Sequence, residues 1–370
     1  METTTPPRLK NLALAGTLLA LAAGALWTLR PETVPYAGTS EVLLGTWLPQ
    51  DRLGLPLLVA SLLGTAALTA GSRLPRAAFG GVATAEAATL LVGYQGSATM
   101  PTFGYALAMC IPVLLVVVGA LAIVRMPRWR VPLLGLTAGV VAAGAWSGVL
   151  TWSNVRSTLG AIVGKLADSP FFFANLATVA VGLAWVALLV TTFPGAVRRA
   201  TGWVTRHRRG FTVGAILCAA PYGLARLMWL TPWPLENLLD TSTRLELDDS
   251  TRLWGLMLGS ACLLGAILTS GLISRWGEVF PRWIPGYAGR PVPVALAAVP
   301  GFTVATALLA GAPSMMAINI DGTLQGWLVA LLVFPFAPWG ILLGLAVWGY
   351  LGHRQVQHAA VTTQLAAVPR

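Results

Sequence analysis

Charge is what this chain has least of. Asp, Glu, Lys and Arg make up 10% of its 370 residues, while 56% are hydrophobic. An ordinary soluble domain carries about 25% charged residues. So little polar material cannot cover a water-facing surface, and lipid must be the solvent for most of the chain. Lysine is scarcer still: Lys10 and Lys165 are the only two among 24 basic residues. Neither lies in an apolar run, which removes a retinal Schiff base. Arginine in place of lysine, with abundant Ala, Gly, Leu and Pro, reads as the codon bias of a GC-rich bacterial genome and places the chain in a plasma membrane.

Histidine and cysteine are nearly absent too. His207, His353 and His358 all fall in loops or the C-terminal tail. No apolar run therefore offers axial haem ligands, a zinc site or an imidazole base. The patterns G-x-x-x-x-G-K-[ST], H-E-x-x-H and C-x-x-C do not occur, so nucleotide hydrolysis and zinc proteolysis lack their parts. Cys110, Cys218 and Cys262 lie far apart inside apolar runs and read as small buried hydrophobes, not as a disulfide framework. No cofactor is expected. The formal net charge of +11 would suit nucleic acid, but the arginines fall in short loops between apolar runs. That is the pattern of cytoplasmic loops at an anionic leaflet, and nucleic acid is not expected as a partner.

What the chain does have is apolar length. Runs suited to crossing a bilayer lie at 11–29, 55–71, 78–94, 104–124, 131–152, 171–193, 211–230, 253–274, 294–311 and 327–351. The first has a cleavable signal peptide as its rival, but its apolar stretch exceeds the usual 7–15 residues or so of such a segment. The run 78–94 is the weakest, being short and carrying Glu86. With ten spans and the N-terminus inside, the loops sort by charge. Arg73 and Arg76, then Arg125, Arg128 and Arg130, then the arginines of 198–209, then Arg275, Arg282 and Arg290 all fall inside. Glu32, Glu41, Asp51 and the acidic cluster at 236–249 fall outside, as the positive-inside rule requires. The expected fold is thus an all-α polytopic bundle, one integral membrane domain over 1–370, with both termini cytoplasmic. An odd half-count of five helices would invert the second half relative to the first.

Tryptophans at the run ends, Trp27, Trp47, Trp152 and Trp229 among them, read as interfacial anchors. Gly135-x-x-x-Gly139, Gly144-x-x-x-Gly148, Gly255-x-x-x-Gly259 and Gly340-x-x-x-Gly344 are close-packing signals. In the outer segment 153–170, Leu159, Ile162, Val163 and Leu166 have helical spacing. Ser157 or Thr158 would cap its start and Pro170 would follow its end, giving a short surface helix. The inner segment 275–293 alternates arginines with aromatics and holds four prolines, which forbid a long helix. It should form an irregular platform in which Glu278 pairs with Arg275 or Arg282.

Two ionisable groups remain inside the runs. Glu86 lies near the middle of 78–94, where an unpaired carboxylate is costly, so it must face the bundle interior. It suits a coupling-proton carrier or a cation ligand; the plainer account is a protonated side chain satisfied by a neighbouring helix. Arg226 lies four residues from the outer end of 211–230. Tyr222 at i−4 and Trp229 at i+3 share its face and would pin the cation by stacking. Pro221 frees the carbonyl of Leu217 beside it. Such an arginine would bind an anion or a carboxylate, or it would snorkel to the interface.

The stretches PYGLARLMW at 221–229 and RWGEVFPRWIPGYAGRPVP at 275–293 resemble segments of a broad set of polytopic membrane proteins from high-GC Gram-positive bacteria. The resemblance covers residues 211–312. It implies a shared fold and transfers no activity. In that set a lysine often stands where this chain has Arg226, which implies a need for a cation there.

The function expected from the residues is a multi-pass transporter or permease. Its solute would be small, with an anion suited to Arg226, and its binding residues would be Arg226, Tyr222, Trp229 and Glu86. A non-catalytic membrane subunit or scaffold is the first alternative, holding a membrane or cytoplasmic protein on 194–210 and 275–293. A lipid-linked transferase acting at the outer face through Glu32, Glu41 and Asp51 is the second. An enzyme is the less expected class, and the lipid bilayer is the partner common to all three.

Overall fold

The structure is a computed structural model. It describes residues 7–36, 42–95, 130–146, 151–167, 170–231, 247–284, 286–319 and 335–366, with isolated positions at 117, 120, 123, 124 and 148. Among these residues there are helices and turns and no β-strand. In chain order the helices are α1 (Pro7–Leu29), α2 (Gly54–Ala70), α3 (Arg76–Ala88), α4 (Arg130–Trp146), α5 (Trp152–Ala167), α6 (Pro170–Thr192), α7 (Pro194–Met228), α8 (Asp249–Ser270), α9 (Val294–Asn319) and α10 (Phe336–Ala366). Six stretches, Pro7–Leu29, Gln50–Ala70, Phe173–Thr192, Pro194–Met228, Thr251–Ile273 and Val294–Ala312, are long and apolar enough to cross a membrane. By length and composition these make the chain a multi-pass membrane protein. Of the other expected spans, most of 104–124 lies outside the described residues. The runs 78–94, 131–152 and 327–351 are met by α3, α4 and α10, which are not among those six.

Three expectations about the connections are corrected. The basic stretch 194–210 is no loop: it is the first half of α7, a single 35-residue helix. Pro194 suits a first helical turn and the arginines that follow are good helix formers, so the basic stretch is helical and α7 runs on to Met228 with Pro221 inside it. At 1.5 Å per residue α7 is about 52 Å long, well beyond a bilayer core of about 30 Å. The outer helix α5 starts at Trp152, not at Ser157 or Thr158. Thr151 caps it instead, its Oγ1 accepting from the Asn154 N–H at 3.3 Å. Pro170 follows the end of α5, as expected, and is the first residue of α6. Finally, α10 carries the C-terminal tail as helix to Ala366, with His353 and His358 on it.

The chain divides into two compact units. The first draws on Met1–Thr102, Asp168–Trp203 and Ala307–Asp321, and the second on Phe103–Ala167, Val204–Thr306 and Gly322–Arg370. In the first, α1 packs on α2 where glycines let backbones meet: a methyl group at Gly24 would come within 2.6 Å of the Leu58 nitrogen. α2 stops at Gly71, whose φ of 56° belongs to the left-handed region that favours glycine. α3 and α6 complete the group. Trp27 was expected as an interfacial anchor. It is buried instead, its ring 5.7 Å from Tyr36 and 6.0 Å from Tyr94. Trp47 and Trp152 are exposed.

In the second unit, Gly255 and Gly259 seat α8 against the last turns of α7. A methyl at Gly255 would fall 2.7 Å from the Arg226 carbonyl oxygen, and one at Gly259 2.9 Å from that of Gly223. That pair is a true close-packing motif, whereas Gly135 and Gly139 have open space beside them. α8 begins at a capped end, the Asp248 carboxylate accepting from the Thr251 N–H at 3.1 Å. The segment 275–293 is irregular, as its prolines require. A 3-10 turn at Arg275–Gly277 leads to one antiparallel bridge between Val279 and Pro291. Gly286 and Gly289, at φ 76° and 75°, make the return possible.

Candidate functional site

Glu86 is placed by α3 in the first unit and is fully buried, at 0% exposure. Three helices close around it. Ser61 on α2 donates its hydroxyl to Glu86 Oε1 at 3.3 Å. Gly64, one turn further along α2, supplies the room. A methyl there would lie 3.3 Å from Glu86 Cδ, 3.2 Å from Thr17 Cγ2 on α1 and 2.9 Å from Trp185 Cζ2 on α6. Trp185 is held in turn, its indole N–H donating to Thr17 Oγ1 at 3.0 Å and its ring 6.0 Å from that of Phe79. Glu86 Oε2 is buried and has no hydrogen-bond partner among the described residues. An ionised carboxylate so placed costs about 3 kcal/mol or more, so the geometry favours a protonated acid.

The helix changes just beyond this carboxyl. Thr89–Gly93 is a π-turn, with the Tyr94 N–H bonding the Thr89 carbonyl at 3.0 Å. A π-turn displaces the helix that follows it and recurs at functional positions. Here it is held by Gln95, whose amide donates to the Leu90 carbonyl at 2.8 Å and to Thr178 Oγ1 at 2.9 Å. Tyr94 then ties α3 to the start of α2. Its hydroxyl donates to the Leu53 carbonyl and accepts from the Leu57 N–H. Gln95 and Tyr94 carried no signal in the sequence, since one amide and one phenol at a run end are ordinary residues for a membrane interface.

Arg226 belongs to the second unit and is half-buried near the end of α7. Its guanidinium carbon stands 4.0 Å from the centroid of the Trp229 ring and 5.0 Å from that of Tyr222. The stacking expected from i−4 and i+3 spacing is therefore present. Tyr222 also meets Phe336 at the start of α10 edge to face, ring centroids 5.4 Å apart at 65°. The four residues expected to bind solute thus fall into two groups. Arg226, Tyr222 and Trp229 stand together in one unit, and Glu86 stands in the other.

A third constellation was not foreseen. Glu278 pairs with neither Arg275 nor Arg282. Its Oε1 lies 3.0 Å from His353 Nε2 and its Oε2 accepts from Gln357 Nε2 at 3.1 Å, both residues on α10. Burial by itself pushes this carboxyl up. The bonds from Gln357 and His353, with the charges of His353 and Arg208, outweigh burial and hold it below the ordinary carboxylate value. One turn away, Arg354 is 5% exposed and is held by oxygens of the platform and of α10. It donates to the carbonyls of Glu278 at 3.3 Å and Val292 at 3.1 Å, and to the Tyr350 hydroxyl at 2.9 Å. The signal was present as i, i+3, i+4 and i+7 spacing in Tyr350, His353, Arg354 and Gln357. It was missed because the tail was not expected to continue the last helix. Glu32 and Asp51 stand exposed on neighbouring 3-10 turns, Pro31–Thr33 and Gln50–Arg52, while Glu41 lies outside the described residues.

No protein-family model matches the chain, and no curated protein or solved structure is significantly similar to it.

Proposed function

We propose that this chain is a transporter or permease for a small solute, crossing a bacterial plasma membrane about ten times with both termini in the cytoplasm. One observation carries the proposal. A carboxyl group is fully buried among apolar helices, with one of its two oxygens lacking a hydrogen-bond partner among the described residues. A purely structural position would be filled at lower cost by Leu, because an orphaned buried polar atom costs about 1–3 kcal/mol. Groups kept at such a cost mark ion or solute pathways. Arg226, braced between Tyr222 and Trp229, supplies the cation that an anionic solute needs.

The test is flux into proteoliposomes, using inorganic phosphate and a panel of small carboxylates as probes. The native chain should accumulate at least one of them, and Arg226→Ala and Glu86→Gln should each lose that uptake while keeping the native elution profile in detergent. Full uptake by both variants would remove both positions from the transport reading.

A second reading has its own observation. Arg198, Arg199, Arg206 and Arg209 are exposed on α7 and, at 100° per residue, fall on one stripe about 100° wide. A scaffold that holds an acidic partner would use such a face. It predicts a stable companion that co-purifies with the chain and dissociates when these arginines are changed to Gln.

A further inference from the structure

Most hydroxyls inside these helices are spent locally. Thr69, Thr84, Thr201 and Thr212 each donate back to the carbonyl four residues earlier, at 2.8–2.9 Å. That is the ordinary resting state of a helical threonine. Two hydroxyls on α2 depart from it. Ser61 turns outward and donates to Glu86 Oε1. Thr65 Oγ1, one turn on, is buried with no hydrogen-bond partner among the described residues. Thr69 follows after a further turn. It is exposed, and its hydroxyl leans back onto the Thr65 carbonyl at 2.9 Å. Residues at i, i+4 and i+8 lie in one file along a helix, about 6 Å apart along its axis. The file leads from the buried carboxyl to the exposed end of α2, where the chain turns at Gly71. A proton passing along this file would need one water to bridge each gap.

We propose that Glu86 is a proton-binding site, loaded and unloaded along Ser61, Thr65 and Thr69 of α2. This rests on the transport reading only for its use, not for its existence. Each hydroxyl both donates and accepts, so Ser61 gives its proton to Glu86 Oε1 as it takes one from the Thr65 side, and ends unchanged. Glu86 passes from carboxylate to neutral acid with no other group altered. Sodium is the alternative occupant, and the cage argues against it. A metal cation needs several oxygens about it. Beside the carboxyl's own pair the surroundings supply the Ser61 hydroxyl, while Thr17 Oγ1 is already bonded by the Trp185 indole. The packed elements bring no competing charge. α2 and α6 contain no ionisable residue, and on α1 the nearest are Arg8 and Lys10, at least seven residues before Thr17. On α3 itself the only other charge is Arg76, ten residues away.

Infrared spectroscopy of the full chain in liposomes tests this without knowledge of the solute. At neutral pH a carbonyl-stretch band of a protonated carboxylic acid should be present and should vanish in Glu86→Gln. On transfer to D2O that band should shift, and Thr65→Val, which keeps the shape and removes the hydroxyl, should slow the shift by about tenfold or more. Sodium titration of the native chain should leave the band in place. If the band is missing, if sodium abolishes it, or if Thr65→Val exchanges at the native rate, the proposal is overturned. A chain that passes all three yet moves no solute keeps its proton site and loses the transport reading, so the two failures are separable.

Discussion

Glu86 and Glu278 are the same side chain under opposite treatment. Glu278 sits at the edge of the second unit, a quarter exposed, with both oxygens bonded and positive groups from α7 and α10 beside it. Its negative charge is wanted, and it clips the 275–293 platform to α10. Among the described residues Glu86 has one weak hydroxyl bond and no cation paired with it, and it is fully buried. Ionisation there is costly, and the geometry favours the neutral acid. The contrast teaches that a carboxylate holding a fold together and a carboxyl retained for another purpose can be told apart by what their second oxygen does.

Packing around the two sites gives the largest expected effect. Gly64→Leu would drive a side chain into Trp185, Thr17 and Glu86 together. Overpacking of this kind costs about 3 kcal/mol, and thermal unfolding in detergent should show the first unit destabilised or the chain unable to fold. Next is Arg354→Ala, which strips charge-assisted bonds from buried carbonyls and should cost about 2–3 kcal/mol in the same assay. Arg354→Lys should recover only part of this, since a point charge cannot reach the fork of acceptors.

Glu→Gln at the two positions sharpens the comparison itself. At 278 it removes the charge from a partly exposed ion pair and should lower stability by about 1 kcal/mol. At 86 it replaces a neutral acid with a neutral amide and should leave the unfolding midpoint within about 0.5 kcal/mol of native. If the two variants lose stability equally, the two carboxyls do not differ as described.

The smallest effect is one of pH. Glu278 is held below its ordinary value of 4.5, so the contribution it makes is present above that value and is lost as pH falls through the lower folded-state value. Melting temperature should drop across that acid window in the native chain and drop less in Glu278→Gln. Equal slopes would remove the clip.

The sequence made the helices legible because apolar length is an unambiguous signal in a chain this poor in charge. It also made the Arg226 stack legible, since i−4 and i+3 neighbours on one helix meet whatever the tertiary fold. Glu86 stood out because a carboxylate in an apolar run is conspicuous. What could not be read was partnership across helices. Ser61, Gly64 and Trp185 are ordinary residues for a membrane segment, and only their convergence from α2 and α6 gives them meaning. Glu278 was assigned to arginines near it in sequence, whereas its partners lie more than seventy residues away on α10. The extent of α7 was hidden for a different reason: arginine serves loop and helix alike, so a basic stretch between apolar runs does not declare its backbone.

The account turns on whether Glu86 is kept for what it carries. Proteoliposomes loaded with a pH-sensitive dye, with a solute gradient imposed outside, measure this directly. The native chain should move protons with the solute, and Glu86→Gln, equally well folded and inserted, should move none. Proton movement at the native rate in that variant would contradict the account.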